Sequence, residues 1–157
     1  MIHATRMHDI SCGHTVTGQE IDGKPGPCSR LHGHNYCFHL TISPELNELG
    51  KPKRSALDSV GRVIDFSEIK TKLCSWLDEH WDHKFLIWEE DPRRDALTLI
   101  DKTVVWLPFN PTAENLALHL IEVIGPQFFK GTGIVLSSCV VEETKKCSAE
   151  VELGIYH

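Results

Sequence analysis

The sequence predicts an α+β domain, an antiparallel sheet with helices packed on one face. Three observations lead there. Tyr36, Phe38, Leu40 and Ile42 alternate with Asn35, Cys37, His39 and Thr41, and a second alternation, Val151, Leu153 and Ile155 against Glu150, Glu152 and Gly154, lies near the C-terminus. Two longer stretches, opening at Asp65 and at Asn110, carry apolar residues at helical spacing. Strands at both ends with helices between them give a four-stranded antiparallel sheet covered by two helices. The 157 residues are read as one domain, 1–157.

Taken in order, residues 2–11 read as a strand running into Ser11-Cys12-Gly13-His14. Residues 15–31 hold Gly18, Gly23, Pro25, Gly26 and Pro27 and form a long loop, a length usually kept for function. The clean strand follows. Residues 44–62 are loop again, with Lys51, Lys53 and Arg54 as either a solvated basic turn or a phosphate contact. Val63-Ile64-Asp65-Phe66 is a short extended piece, and Asp65 with Glu68 has the pattern of a capping box. Ile69, Leu73, Trp76, Leu77 and His80 then lie on one helical face, and the helix ends near Trp81. Asp91-Pro92 opens a short helix over 92–100, and 102–107 is extended. The second long helix begins at Asn110-Pro111-Thr112, buries Leu116, Leu120, Ile121 and Ile124, and stops at Gly125-Pro126. Residues 134–143 and the last strand form a hairpin about a turn at 145–148.

Composition narrows the function. A formal charge of −6 argues against a nucleic-acid scaffold but allows a small anionic substrate. There is no apolar run long enough to span a membrane and no signal-peptide pattern in the first residues, so a cytoplasmic location is expected. None of the six cysteines forms a Cys-x-x-Cys pair, which argues against a disulfide framework. Ten histidines point mildly to metal or acid–base chemistry.

The histidines that matter sit in Cys28-Ser29-Arg30-Leu31-His32-Gly33-His34. In an extended segment His32 and His34 project to one face, the same face as Tyr36 and Phe38. Gly33 permits close backbone approach. His14 is the third ligand candidate. Three imidazoles with an open fourth position make a catalytic zinc site, although copper, iron or nickel would also suit them. Such a metal acts as a Lewis acid on a substrate oxygen. Cys12 competes for the fourth place, its other reading being a small buried side chain. Cys28 is not assigned to the metal: a thiol beside a divalent cation and a histidine ionises readily and serves as base or nucleophile. Asp82-His83 lies at an element end, where catalytic groups often sit.

Together, Cys28-x-x-x-His32-Gly33-His34, Val63-Ile64-Asp65-Phe66, Asp82-His83, Asn110-Pro111-Thr112-x-Glu114-Asn115 and Glu143-Thr144 resemble the 6-pyruvoyl-tetrahydropterin synthase superfamily, from about Ile10 to Leu153. The three-residue gap between Cys28 and His32 is similar to that of its bacterial branch, which makes 6-carboxy-5,6,7,8-tetrahydropterin. The resemblance implies a tunnelling fold whose subunits join sheets into a barrel, commonly a hexamer built from trimers. It implies zinc on His14, His32 and His34, with 7,8-dihydroneopterin triphosphate as substrate. The implied products are 6-carboxytetrahydropterin, acetaldehyde and triphosphate, on the route to queuosine and other 7-deazaguanines. Cys28 is then the general base and His83, oriented by Asp82, the second acid–base group. Glu143 anchors the pterin, with its neighbour Glu142 as the alternative, and Thr112 contributes nearby. The Asp82-His83 pair can serve a neighbouring subunit's Cys28. No direct nucleic-acid or membrane partner is expected. Residues 84–109 exceed what a compact member needs and are expected to form a lid or an oligomer contact. Two other readings stay open: 6-pyruvoyl-tetrahydropterin synthase activity, and a non-catalytic zinc- or pterin-binding subunit.

Overall fold

The computed structural model describes residues 1–154. Strand β1 spans Ala4–His14, three residues beyond its predicted end. The loop after it carries a two-residue ribbon, β2 (Glu20–Ile21) against β3 (Lys24–Pro25), and a tight turn at Pro27–Ser29. Strand β4 (His32–Pro44) pairs antiparallel with β1 in unbroken register from Ala4↔Ile42 to His14↔His32. The alternation places Ile10, Cys12, Tyr36, Phe38, Leu40 and Ile42 on one face, all buried. The other face carries Asp9, Ser11, Asn35, Cys37, His39 and Thr41 and is polar.

Helix α1 is continuous through Phe66–Ile69, a wide π turn at Lys70–Cys74, and Ser75–His80. The Asp65 carboxylate caps it by accepting from the Ser67 amide at 2.8 Å. The reciprocal half of the predicted capping box is absent, because Glu68 pairs instead with Lys72 at 2.6 Å. Val63 and Ile64 are buried but belong to no strand.

Strand β5 (Phe85–Trp88) follows, then the short helix α2 (Arg94–Ile100) and β6 (Val105–Leu107). Helix α3 runs through Ala113–His119, a second π stretch at Leu120–Ile124, and Gly125–Phe129. It therefore does not stop at Gly125-Pro126 as the sequence predicts. Pro126 opens the segment that follows the π stretch, a position where its missing N–H is tolerated. A Cβ on Gly125 would sit 2.9 Å from Leu136, so this glycine lets the helix approach the sheet rather than ending it. Strands β7 (Ile134–Thr144) and β8 (Cys147–Glu152) close the chain as a hairpin about Lys145-Lys146. Leu153 lies past β8, and Ile155, predicted to continue this strand, lies outside the described residues.

The sheet order is β6-β5-β1-β4-β7-β8. All four predicted strands are there, but the sheet has six and is not wholly antiparallel: β5 pairs parallel with β1 and β6 parallel with β5. Both further strands come from residues 84–109: β6 lies within the piece read as extended over 102–107, and β5 is not predicted. Leu86 and Ile87 are fully buried, so β5 is a covered strand with a continuous apolar run and no alternation to read. Helices α1 and α3 pack on the apolar face, joining Ile69, Leu73, Leu77, Leu116 and Leu120 to Tyr36, Phe38 and Leu40 in one core. No helix among the described residues is long and apolar enough to cross a membrane.

Candidate metal centre

The end of the β1–β4 pair builds the centre. His14 closes β1, His32 opens β4, and the two face each other in register. His34 follows two residues on, on the same face. The three rings lie with centroids 4.5, 5.1 and 4.9 Å apart, and one nitrogen from each lies within 4.8 Å of the others. Strand parity and register thus bring together the three histidines that the sequence singles out.

Hydrogen bonds at the far side of two rings define what this centre can hold. His14 Nδ1 lies 2.8 Å from the Pro111 carbonyl and His32 Nδ1 lies 2.6 Å from the Arg30 carbonyl. A carbonyl only accepts, so both Nδ1 atoms carry a proton, and in the neutral form of each ring Nε2 is the nitrogen left to accept or to ligate. Each Nε2 then presents a lone pair, and these two nitrogens stand 3.0 Å apart. Such a contact requires a cation between them, either a proton or a metal ion. Burial lowers the pKa of His14, which disfavours the proton. His34 Nε2 is buried without a hydrogen-bond partner, and burial lowers the pKa of that ring also. Carbonyls fixing the distal nitrogens of neutral imidazoles are the usual support of a metal site. The donor set fits a metal ion, and His14, His32 and His34 would hold it.

Glu143 joins this centre. Register pairs Cys37 with Glu142 and Phe38 with Val141, so Glu142 points to the polar face. The β7–β8 register shifts between Glu142 and Thr144, and the carboxylate of Glu143 comes to 3.2 Å from His34 Nε2, though not aligned as a hydrogen bond. Tyr36 packs edge-on against His14 and His34, with centroids 5.8 and 5.5 Å away, and its buried hydroxyl has no partner. Cys12 faces His34 across the strands but stands outside the ligand group. Burial, with Asp82 nearby, pushes its thiol up to about 12, as befits a small buried side chain.

The other predicted site residues are placed as follows. Cys28 sits half-buried in the turn Pro27–Ser29, outside the ligand group, and its carbonyl accepts from the Val16 amide at 2.7 Å. Thr112 caps α3, its hydroxyl accepting from Asn115 N at 3.2 Å. Asp82 grips β1: one oxygen accepts from Ser11 N at 2.9 Å and the other lies 2.9 Å from His83 Nδ1. Burial raises the Asp82 pKa, but the Ser11 amide and His83 outweigh it and hold the carboxyl below its ordinary value. His83 returns the grip through its own amide to Ser11 O at 2.7 Å, with a left-handed backbone (φ +58°) that few non-glycine residues adopt. Its exposed ring borders a groove of about 460 Å³ together with His32 and His34. Cys28 does not line that groove.

Asp91, read from the sequence only as a helix start, and Arg93, which the sequence does not single out, tie the loop of Cys28 to the sheet. Asp91 is buried and accepts from Thr17 Oγ1 at 2.6 Å and from Arg93 at 2.8 Å. Arg93 donates onward to Thr15 Oγ1 at 3.0 Å and to Ser29 O at 3.2 Å, the residue after Cys28. Asn110 holds the same loop through Thr17 N and Thr17 O, both at 2.9 Å. Residues 84–109 therefore widen the sheet and clamp this loop. The Arg93 guanidinium, opposed by burial and aided by Thr17, holds the Asp91 carboxyl at about 2. A folded pKa below the unfolded value of 3.8 stabilises the protein above that value, and the stabilisation is lost as pH falls through 2. Its size is about 2 kcal/mol. Asp91→Ala is expected to lower stability near neutral pH by about 2–4 kcal/mol, since Arg93 and Thr17 lose their acceptor. It should also flatten acid sensitivity between pH 4 and 2 relative to wild type (about one carboxyl's worth). Denaturant titrations at neutral and acid pH measure both.

The chain matches the family model described as 6-pyruvoyl tetrahydropterin synthase over residues 3–153. It is 31% identical over 153 residues to the 6-carboxy-5,6,7,8-tetrahydropterin synthase of Rickettsia typhi, an alignment covering 96% of this chain and 100% of that one. Among solved structures, an uncharacterized protein from Wolinella succinogenes superposes with a TM-score of 0.77 at 22% identity, covering 96% of this chain and 97% of the other. The 6-pyruvoyl tetrahydropterin synthase of Caenorhabditis elegans superposes with a TM-score of 0.62 at 19% identity, covering 98% and 96%. These two structural likenesses concern the fold.

Proposed function

Since the chain belongs to the 6-pyruvoyl tetrahydropterin synthase family, we propose that it is a zinc-dependent 6-carboxytetrahydropterin synthase. The substrate is 7,8-dihydroneopterin triphosphate, and the products are 6-carboxy-5,6,7,8-tetrahydropterin, acetaldehyde and triphosphate, made for queuosine and related 7-deazaguanines. This makes it a carbon–carbon lyase. The observation that carries the reading is the convergence of three imidazoles with one nitrogen each within 4.8 Å of the others, two of the rings being held at Nδ1 by backbone carbonyls. The full-length relative named for this activity supports the choice of product.

When bound to His14, His32 and His34, zinc supplies a Lewis acid that polarises substrate hydroxyl oxygens and acidifies the neighbouring C–H bonds. Cys28 takes the proton from carbon as general base. Its half-buried turn, clamped through Ser29 by Arg93, restricts where the sulfur can stand. Asp82, 2.9 Å from His83 Nδ1, orients this ring electrostatically, with Nε2 as the nitrogen that exchanges protons with the substrate. Because Cys28 does not line the groove that His83 borders, the Asp82-His83 pair is read as serving the Cys28 of a neighbouring subunit, in a hexamer of two trimers with a barrel of joined sheets. Glu143 accepts paired N–H bonds from the pterin ring, with Thr112 close by. The test is incubation with 7,8-dihydroneopterin triphosphate. Acetaldehyde and triphosphate are expected together; triphosphate without acetaldehyde would overturn the reading in favour of 6-pyruvoyl-tetrahydropterin synthase activity.

A further inference from the structure

The polar face of the sheet repeats the arrangement of the imidazole centre with different donors. In the first centre a facing pair, His14 and His32, is joined by the residue two further along β4. On the opposite face Cys37 and Glu142 are a facing pair, and His39 lies two further along β4. One donor atom from each of these three residues lies within 4.8 Å of the others. His39 Nε2 stands 3.3 Å from the Glu142 carboxylate without hydrogen-bond alignment, and it is buried with no other partner. Across the sheet Cys37 also faces Asp9, so the thiol sits between two carboxylates. We infer that Cys37, His39 and Glu142 form a second metal site, for a zinc-class dication, separate from the His14–His32–His34 centre.

The donor chemistry selects the ion. Thiolate, imidazole and carboxylate together suit zinc or cobalt and suit magnesium or calcium poorly. Three protein donors would leave room for a further ligand, and two of them, Cys37 and Glu142, line a groove together with Asp9, Asp82, His83 and Lys145. Burial, then Asp9 and Glu142, pushes the Cys37 thiol up to about 12. The carboxylates of Asp9 and Glu142, facing the thiol from both neighbouring strands, favour a dication, which would displace the thiol proton to solvent on binding. The inference does not depend on the pterin reading, because neither Cys37 nor His39 belongs to the motifs that carry it.

The test is a titration of the full chain with cobalt(II), followed by visible and near-ultraviolet absorption, beside the same titration of Cys37→Ser and His39→Ala. Wild type is expected to bind one more equivalent per chain than either variant. That equivalent should bring a thiolate-to-cobalt charge-transfer band, which Cys37→Ser lacks. The equivalent held by the three imidazoles should remain in both variants and reports that they fold. Equal stoichiometry in all three proteins overturns the inference, as does a charge-transfer band that survives Cys37→Ser.

Discussion

Cys28→Ala is expected to reduce turnover of 7,8-dihydroneopterin triphosphate by about 10²–10⁴-fold, the usual contribution of a positioned general base. Metal content should stay at the wild-type level. The variant is clean for a structural reason. The turn at Pro27–Ser29 is held by backbone contacts, the Cys28 carbonyl to Val16 and the Ser29 amide to Gly26 O at 3.1 Å, and by Arg93 on Ser29 O. None of these passes through the sulfur, so truncation removes chemistry and leaves the loop in place. The drop should fall in kcat with little change in KM, because the interaction is made as the proton moves. Asp91→Ala offers the complement: the thiol remains while its loop loses an anchor, so a smaller loss is expected, recovered in part at lower temperature. Full turnover in Cys28→Ala would remove the proposed base, and loss of metal in that variant would make Cys28 a ligand.

How far the sequence could be read follows from which interactions are periodic. β1, β4 and β7 each bury one face and β8 half-buries one, and alternation exposes β4 and β8 in the sequence. The imidazole group is legible for the same reason: His32 and His34 share parity with Tyr36 and Phe38, and His14 ends the neighbouring strand in register with His32. β5 escapes because Leu86 and Ile87 are covered on both sides and its partner β1 lies some seventy residues earlier in the chain. The choice between Glu142 and Glu143 turns on a shift in the β7–β8 register that no local pattern announces. Asp91 is invisible as a clamp for a different reason. Its hydroxyl partner Thr17 lies 74 residues away, and the guanidinium it neutralises bonds Thr15 at a separation of 78. Buried polar networks of this kind are specified by tertiary contact alone. Cys37 and His39 show a third limit, since polar-face parity reads as solvated surface until β7 places Glu142 opposite.

His34→Ala is expected to abolish catalysis and to uncouple stability from zinc. Of the three imidazoles His34 is the suitable one to remove. His14 is fully buried and bonded to Pro111 O, and His32 is bonded to Arg30 O, so truncating either disturbs the backbone supports of the site. His34 has no such bond, and its Nε2 faces only Glu143 without alignment. Metal-free His34→Ala should therefore melt close to metal-free wild type. With zinc the two should separate. An ion present at a thousandfold over its dissociation constant stabilises the folded state by about 4 kcal/mol, which for a domain of this size raises Tm by roughly 8–16 °C. Wild type should show that rise and lose it to a chelator, whereas His34→Ala should show little of either. Making both proteins in a His39→Ala background confines the measurement to the imidazole centre. A zinc-dependent Tm shift of wild-type size in His34→Ala would mean that the ion is held elsewhere. The lone pairs of His14 and His32 would then need a proton between them, and the site would be an acid–base pair rather than a metal centre.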